Sequence, residues 1–153
     1  MKLRTDASTI LLGGAIAGAL DLLFATTFAG FNGVAPTRVL QTIASGLLGN
    51  AAFAGGAGIA ILGLLLHFAI TCVLAGLFLL VARRAPLLGR WPVWSGIVFG
   101  IGVFLVMRLV VLPLSAYPRP VTFRPLATVL DLLSHMLLVG VPISLVARKR
   151  LGA

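Results

Sequence analysis

The feature that most constrains the fold is a set of four apolar segments, at residues 8–30, 57–82, 93–115 and 123–147. An α-helix needs about 20 apolar residues to cross the hydrocarbon core of a bilayer, and each segment is long enough. Apolar residues make up 60% of the chain and charged residues only 10%, which leaves too little polar surface to cover a soluble core. The sequence therefore predicts an all-α, polytopic membrane protein, with residues 1–153 forming a single transmembrane domain.

The strongly basic charge balance has a topological interpretation. Twelve basic residues stand against three acidic ones, which in a soluble protein would indicate a nucleic-acid partner. Here the basic residues cluster at the ends of apolar segments, so the predicted partner is the lipid bilayer and not nucleic acid. Cys72 is the only cysteine, which excludes an intramolecular disulfide. The first segment contains Asp21 and is too long for the apolar part of a signal peptide, so it is interpreted as a retained helix.

Lysines and arginines near the segment ends predict the orientation. Eight lie on one side of the membrane and three on the other, with Arg108 left inside. Because the side richer in these residues is cytoplasmic, we expect both termini in the cytoplasm and the protein in a bacterial inner membrane. The cytoplasmic group comprises Lys2, Arg4, Arg83, Arg84, Arg90, Arg148, Lys149 and Arg150, and the outer group comprises Arg38, Arg119 and Arg124.

The loop after the first segment contains a fifth helical pattern, at residues 36–49. Apolar residues recur there at helical spacing, while polar residues that include Gln41 and Ser45 occupy much of the opposite face. Pro36 suits a helix start and Gly49 a helix stop. The pattern predicts a short amphipathic helix, either lying on the outer interface or folded over the other helices as a lid. Because short loops join the last three segments, the four transmembrane helices are expected to form an antiparallel bundle.

Aromatic residues and prolines add detail to the last two transmembrane helices. Trp91 and Trp94 at one end of the third helix and Tyr117 at the other are expected to anchor it at the two membrane interfaces. Pro113 is expected to kink or end the third helix, and Pro142 to bend the fourth.

Five ionisable side chains lie inside the apolar segments: Asp21, His67, Arg108, Asp131 and His135. With a helical rise of 1.5 Å per residue, all five fall about 10–18 Å below the outer surface, between the outer interface and the midplane. A charge at membrane depth is costly and usually faces a partner or a cavity. We therefore expect these residues to form one polar layer inside the bundle.

Glycines on the same helix faces are expected to let the helices approach one another closely. Gly14 and Gly18 precede Asp21 at helical spacing in a GxxxG pattern, and Gly96 and Gly100 repeat the pattern on the third helix. Packing within one chain is the commoner use of such a face. A homodimer contact is the alternative.

The polar layer has two main interpretations. In the structural one, Arg108 pairs with Asp131 or Asp21 through its planar fork, and the histidines bond to Thr71, Ser134 or backbone carbonyls. In the other, Asp131 and His135, four residues apart on one helix, exchange a proton, since histidine changes charge near neutral pH. With both histidines neutral, the layer carries a net charge of −1, which one proton would neutralise. Such a protein would handle protons or act as a small proton-coupled transporter, which with only four helices would need a dimer.

Cofactor and enzyme interpretations are weaker. His67 and His135 lie on different helices at similar depth, as the axial ligands of a b-type haem would, but Arg108 and Asp131 would crowd the haem. The same arginine would repel a metal ion, so no metal and no other cofactor is expected. Ser134 and His135 are adjacent on a helix and point in different directions, so no enzyme activity is expected.

Several segments carry a loose resemblance to a known group. They are “LLLHFAITCVLAGLF” with His67, “WPVWSGIVFG”, “VVLPLS” around Pro113, “DLLSHMLLVG” with His135, and the basic end “ARKR”. Through these patterns the chain, from about Gly63 onwards, resembles small bacterial inner-membrane proteins of the YagU-like group. The resemblance implies a four-helix inner-membrane protein and no known reaction.

The predicted orientation can be tested with two reporters. A green fluorescent protein at the C-terminus is expected to fluoresce, and alkaline phosphatase at the same position to be inactive, because that end is predicted to be cytoplasmic. Phosphatase inserted within residues 116–122 should be active, which also controls for expression. The opposite pattern of activities would show that the orientation is wrong.

Overall fold

Most of the described residues are helical. The computed structural model describes the backbone of residues 2–85 and 87–151 and the side chains of residues 6–85 and 87–149, and these contain no strand. The α-helices are α1 (Lys2–Phe31), α2 (Pro36–Leu48), α3 (Gly56–Arg84), α4 (Leu87–Arg90), α5 (Pro92–Val106), α6 (Leu112–Leu114), α7 (Pro125–Ser134) and α8 (Val141–Leu151). A 3₁₀ turn at Gly49–Phe53 follows α2, and π-helical turns at Met107–Val111 and His135–Gly140 join α5 to α6 and α7 to α8.

Four helices are long and apolar enough to cross a membrane. They are the first span (Asp6–Phe31), the second (Gly56–Arg84), the third (Pro92–Leu114) and the fourth (Pro125–Lys149). The all-α prediction and the four membrane-length helices are thus confirmed, and each predicted boundary lies within two residues of the observed one. Residues 1, 86, 152 and 153 of the predicted domain lie outside the described residues, as do the side chains of Lys2, Arg4 and Arg150 that entered the charge count.

The spans contact one another unequally. The first span packs along the second and also along the fourth, and the third packs along the fourth. The second and third spans have no extended backbone contact in the described residues, although the short loop between them predicted close neighbours. Their rings meet at Phe78 and Phe99, whose centroids are 5.1 Å apart. The buried core lies mainly among the first, second and fourth spans and comprises Ala17, Ala75, Phe78, Leu79, Ala82, Val139, Ile143 and Ala147.

The predicted glycine faces explain this pattern of contacts. A Cβ atom added at Gly14 would lie 2.6 Å from Cys72 Sγ, and one at Gly18 would lie 2.8 Å from Thr71 Oγ1. On the third span, a Cβ at Gly96 would lie 2.6 Å from Val141 Cα. Both faces are therefore filled by helices of the same chain. A dimer, which stays a prediction, would need another surface.

Helix α2 lies against α3 with its small and polar residues turned inward. A Cβ atom at Gly63 of α3 would collide with the Leu40 carbonyl oxygen, so the two backbones touch. Gln41 and Ser45 are buried, and the Gln41 amide donates to the Gly56 carbonyl at 3.1 Å. Leu47, by contrast, is 63% exposed. A helix was predicted at residues 36–49 and is observed at Pro36–Leu48. Its polar face lies inward at Gln41 and Ser45, because only short or hydrogen-bonded side chains fit so close an approach.

The two prolines of the third and fourth spans follow π-helical turns. One turn ends at Val111, two residues before Pro113, and the other ends at Gly140, two residues before Pro142. A proline ring clashes with the carbonyl four residues earlier, and the wider π turn gives that carbonyl room. The expected kinks therefore take the form of widened turns. Arg108 and His135 lie within them, and π turns are common at functional sites.

The close approach of the third and fourth spans can be tested with two glycines on one helix. A Cβ atom at Gly100 would lie 2.5 Å from Met136 Cα, whereas one at Gly102 has no neighbour within 4 Å. Gly100→Ala is expected to lower the free energy of unfolding by about 1–3 kcal/mol through overpacking. Gly102→Ala should be neutral or slightly stabilising, because alanine favours helix by up to about 1 kcal/mol. Thermal unfolding in mild detergent measures both, and equal effects would contradict the packing.

Candidate functional site

An ion pair between the third and fourth spans anchors the polar layer. Arg108 Nη2 lies 2.9 Å and Arg108 Nε 3.1 Å from Asp131 Oδ2. Arg108 Nη1 also donates to the Thr122 carbonyl at 2.9 Å, in the loop before the fourth span. Of the two acids that the sequence offered as partners, the arginine thus pairs with Asp131. Both side chains are partly buried, with 17% and 34% of their surfaces exposed.

Two aromatic rings complete the surroundings of Arg108. The guanidinium carbon lies 5.7 Å from the centre of the Phe104 ring and 5.5 Å from that of Phe123. The negative face of an aromatic ring attracts a cation at such distances. Phe104 lies one helical turn before Arg108 on the third span, and Phe123 lies in the loop that ends at the fourth. The arginine therefore has a carboxylate, a carbonyl and two rings as partners, as a cation in an apolar helix requires.

His135 is oriented by the residue one turn before it. Its Nδ1 lies 2.8 Å from the Asp131 carbonyl oxygen and 3.3 Å from Asp131 Oδ1. A carbonyl oxygen only accepts hydrogen bonds, so Nδ1 carries the hydrogen and the neutral ring has an unprotonated Nε2. No hydrogen bond to this Nε2 occurs among the described residues. The ring rests edge-on against Phe104, with 5.9 Å between the centroids.

Asp21 of the first span is connected to this cluster by a single hydroxyl. The single hydrogen of the Ser134 hydroxyl is shared between the Asp131 carbonyl oxygen at 2.9 Å and Asp21 Oδ1 at 3.3 Å. Within the side chains that the structure describes, no cation lies within ion-pair distance of Asp21. Its charge is therefore uncompensated when both histidines are neutral, in contrast to that of Asp131.

His67 is held apart from the cluster by the contact between the first two spans. Its Nε2 donates to the Gly18 carbonyl at 2.9 Å, and the ring is buried edge-on against Phe68. The close packing at Gly18 is what brings this carbonyl within reach. Backbone carbonyl oxygens thus accept hydrogen bonds from both histidines, which was one of the predicted alternatives. Thr71 and Ser134, the other predicted partners, bond to the Phe68 carbonyl and to Asp21 instead.

A cavity of about 460 Å³ brings the separate parts of the layer together. All four spans contribute to its wall, and α2 covers it, so we call it the α2 cavity. Asp21, His67 and His135 line it, while the pair of Arg108 and Asp131 lies beside it. The remaining wall is mostly apolar. Three of the five predicted residues therefore share one cavity, and the other two are connected to it through the contact of Asp131 with His135.

Tyr117 was not predicted as part of this site. It was interpreted as an interfacial anchor, but it is partly buried and lines the α2 cavity. The chain turns back there because the Ala116 N–H donates to the Gly46 carbonyl of α2 at 2.9 Å. No pattern in the sequence signals this hydrogen bond, since it depends on where α2 folds. Trp91 and Trp94, by contrast, are 62% and 66% exposed, as an aromatic belt would be.

A second cavity, of about 700 Å³, lies between the second and third spans at their other ends. Phe78, Phe99, Trp91 and Trp94 line it, together with aliphatic residues and Ser95. It carries no ionisable group in the described residues. The larger cavity therefore has none of the acidic and histidine side chains that line the α2 cavity.

The two histidines do not fit the haem interpretation in this arrangement. A haem iron binds an unprotonated imidazole nitrogen, and Nε2 of His67 instead donates its hydrogen to the Gly18 carbonyl. The first and second spans touch at this point, which leaves no room for a macrocycle between the ring and its partner. Within the described residues, no group of three or more histidine, cysteine or acidic side chains could hold a metal ion.

Comparison with known proteins gave no match to a protein family, to a curated protein or to a solved structure. The resemblance to the YagU-like group stays a prediction. The proposals below depend on the geometry of the polar layer alone.

The role of the ion pair can be tested by removing one partner or both. Arg108→Leu is expected to lower the free energy of unfolding by up to about 3 kcal/mol, the lower edge of the range for buried pairs, because both side chains are partly exposed. Replacing both Arg108 and Asp131 with leucine should recover most of this loss, since no uncompensated charge remains. Thermal unfolding in mild detergent measures the effect.

Arg124→Leu is the matched control for this experiment, because Arg124 precedes the fourth span and is exposed. It is expected to leave stability unchanged. If Arg108→Leu were equally harmless, the pair would not stabilise the fold.

Proposed function

We propose that this chain is a non-enzymatic bacterial inner-membrane protein that takes up and releases a proton at the α2 cavity, with His135 as the proton carrier. One observation carries the proposal: His135 lines the cavity with Nδ1 bonded to Asp131, while its Nε2 is without a partner in the described residues. A neutral imidazole so placed can accept a proton from the cavity at Nε2.

The charges around the cavity favour the uptake of one proton. The first span contributes Asp21, the second His67, the third Arg108, and the fourth Asp131 and His135; the loop after the third span adds the neutral phenol of Tyr117. With neutral histidines these sum to −1. A single proton on His135 brings the layer to zero, which lowers the cost of holding it in an apolar environment.

Asp131 has a positioning role in this proposal. Its carbonyl and one carboxylate oxygen hold Nδ1–H of His135, while its other carboxylate oxygen accepts from Arg108. The carboxylate therefore fixes the tautomer of the ring and stabilises the imidazolium after protonation. Arg108 in turn holds Asp131 in place. The structural and the proton-handling interpretations thus describe two parts of one cluster.

The proposal includes the predicted topology. Both termini are cytoplasmic, the four spans form one antiparallel bundle, and α2 covers the bundle at its outer end. A small proton-coupled transporter is the second candidate. The size of the α2 cavity, about 460 Å³, favours it, because a proton alone needs no such space.

The two histidines of the chain make a direct test possible, since each gives its own imidazole NMR signals. Protein labelled with ¹⁵N-histidine, carrying a purification tag without histidine, would be titrated in mild detergent, and His67→Gln would identify the signal of His135. We expect that signal to change with pH between about 5 and 8, where histidine takes up its proton. Asp131→Asn should change the midpoint, because the ring loses a charged neighbour.

A His135 signal that stays constant over this range would overturn proton handling and leave a structural layer. Thermal unfolding of the Arg108 variants would still report on the ion pair in that case. The two roles of the layer are therefore separable.

A further inference from the structure

We propose that the α2 cavity binds a lipophilic organic monocation, with Asp21 as its counter-charge, and that this cation and the proton on His135 compete for the site. The inference rests on the proposed proton handling and names the ligand class of the same cavity. It starts from Asp21, the charge of the layer that has no ion-pair partner among the described side chains.

Asp21 is the only carboxylate on the wall of the cavity. One of its oxygens accepts a long hydrogen bond of 3.3 Å from Ser134, and no hydrogen bond to the other oxygen occurs in the described residues. An anion in an apolar environment is costly unless it is paired. Because no cation among the described side chains lies within ion-pair distance of Asp21, we expect a partner from outside the chain.

The rest of the wall determines what kind of cation fits. It consists largely of aliphatic side chains, among them Leu66, Ile70 and Val103, with the ring of Tyr117 as a further surface that attracts cations. A metal ion bound by the protein would need several ligands, and the described residues contain no group of three or more histidine, cysteine or acidic side chains that could hold one. A cavity of about 460 Å³ lies within the range for small organic ligands. An apolar body that carries one positive charge matches both its volume and its wall.

Competition with the proton follows from the charge of the layer. When both histidines are neutral, the net charge of −1 can be compensated by one bound cation. When His135 is protonated, the layer is already neutral, and a cation would bring a second positive charge into the same apolar space. Binding of the cation therefore displaces the proton from Nε2 of His135 to water, one for one. The exchange needs no other reactant.

Two ions of the same shape and opposite charge provide the test. Full-length protein in mild detergent at pH 8 would be titrated by calorimetry with tetraphenylphosphonium and, separately, with tetraphenylborate. We expect saturable binding of the cation alone, at one per chain. Asp21→Asn should weaken it at least tenfold, whereas Asp6→Asn, the same substitution on the same helix, lies outside the cavity wall and should have no effect.

The proton is measured in a second titration at about pH 6, within the range where His135 is expected to carry it. In weakly buffered solution the wild type should release a proton as the cation binds, and His135→Gln should bind without release. If Asp21→Asn does not fold, the wild type still decides the matter, since its affinity for the cation must fall as the pH is lowered from 8 to 5. An affinity independent of pH would overturn the competition.

The outcomes separate this inference from the proposed function. No saturable cation binding, equal binding by Asp21→Asn, or preferred binding of the anion would overturn the cation site, while a titrating His135 would still support proton handling. Saturable binding that depends on Asp21, together with a His135 NMR signal that stays constant with pH, would support the cation site. It would overturn proton handling and the competition with it.

Discussion

The cost of a charge inside an apolar environment governs the arrangement of this molecule. Arg108 meets that cost with Asp131, the Thr122 carbonyl and two aromatic rings. These partners come from the third span, the loop after it and the fourth span, so satisfying one guanidinium ties three consecutive parts of the chain together. Asp131 also holds His135, and Ser134 reaches Asp21 of the first span. All residues of the polar layer except His67 therefore form one connected set that begins at this ion pair.

Small residues determine which of the helices that carry the polar layer pack closely together. The first span lies on the second, and the third on the fourth, because glycines let their backbones touch. Close contact also exposes carbonyl groups to side chains of the neighbouring helix, as Gly18 shows for His67. The second and third spans have no such contact. The α2 cavity lies where the four spans are held apart on one side, under α2.

The four membrane-length helices and the residues of the polar layer could be predicted from the sequence. Hydropathy depends on local composition, and an ionisable residue in an apolar run is visible without a structure. Depth narrowed the partner of Arg108 to two acids, but choosing Asp131 required the positions of the helices, which place Asp131 Oδ2 2.9 Å from Arg108 Nη2. The inward face of α2 and the position of Tyr117 could not be predicted, because both depend on hydrogen bonds to backbone groups, Gln41 to Gly56 and Ala116 to Gly46, that no residue pattern encodes.

The contact of Gly100 with the fourth span and the ion pair of Arg108 lie on the same helix, eight residues or about 12 Å apart. Two contacts at different positions along the third span determine its tilt relative to the fourth. At Gly100 the nearest atoms are backbone atoms of His135 and Met136, so this contact sets the distance between the helices. The angle between the third and fourth spans, and with it the width of the α2 cavity, thus depends on polar contacts towards both ends of the pair: the Ser144 hydroxyl donates to the Pro92 carbonyl at 2.6 Å, and Arg108 pairs with Asp131.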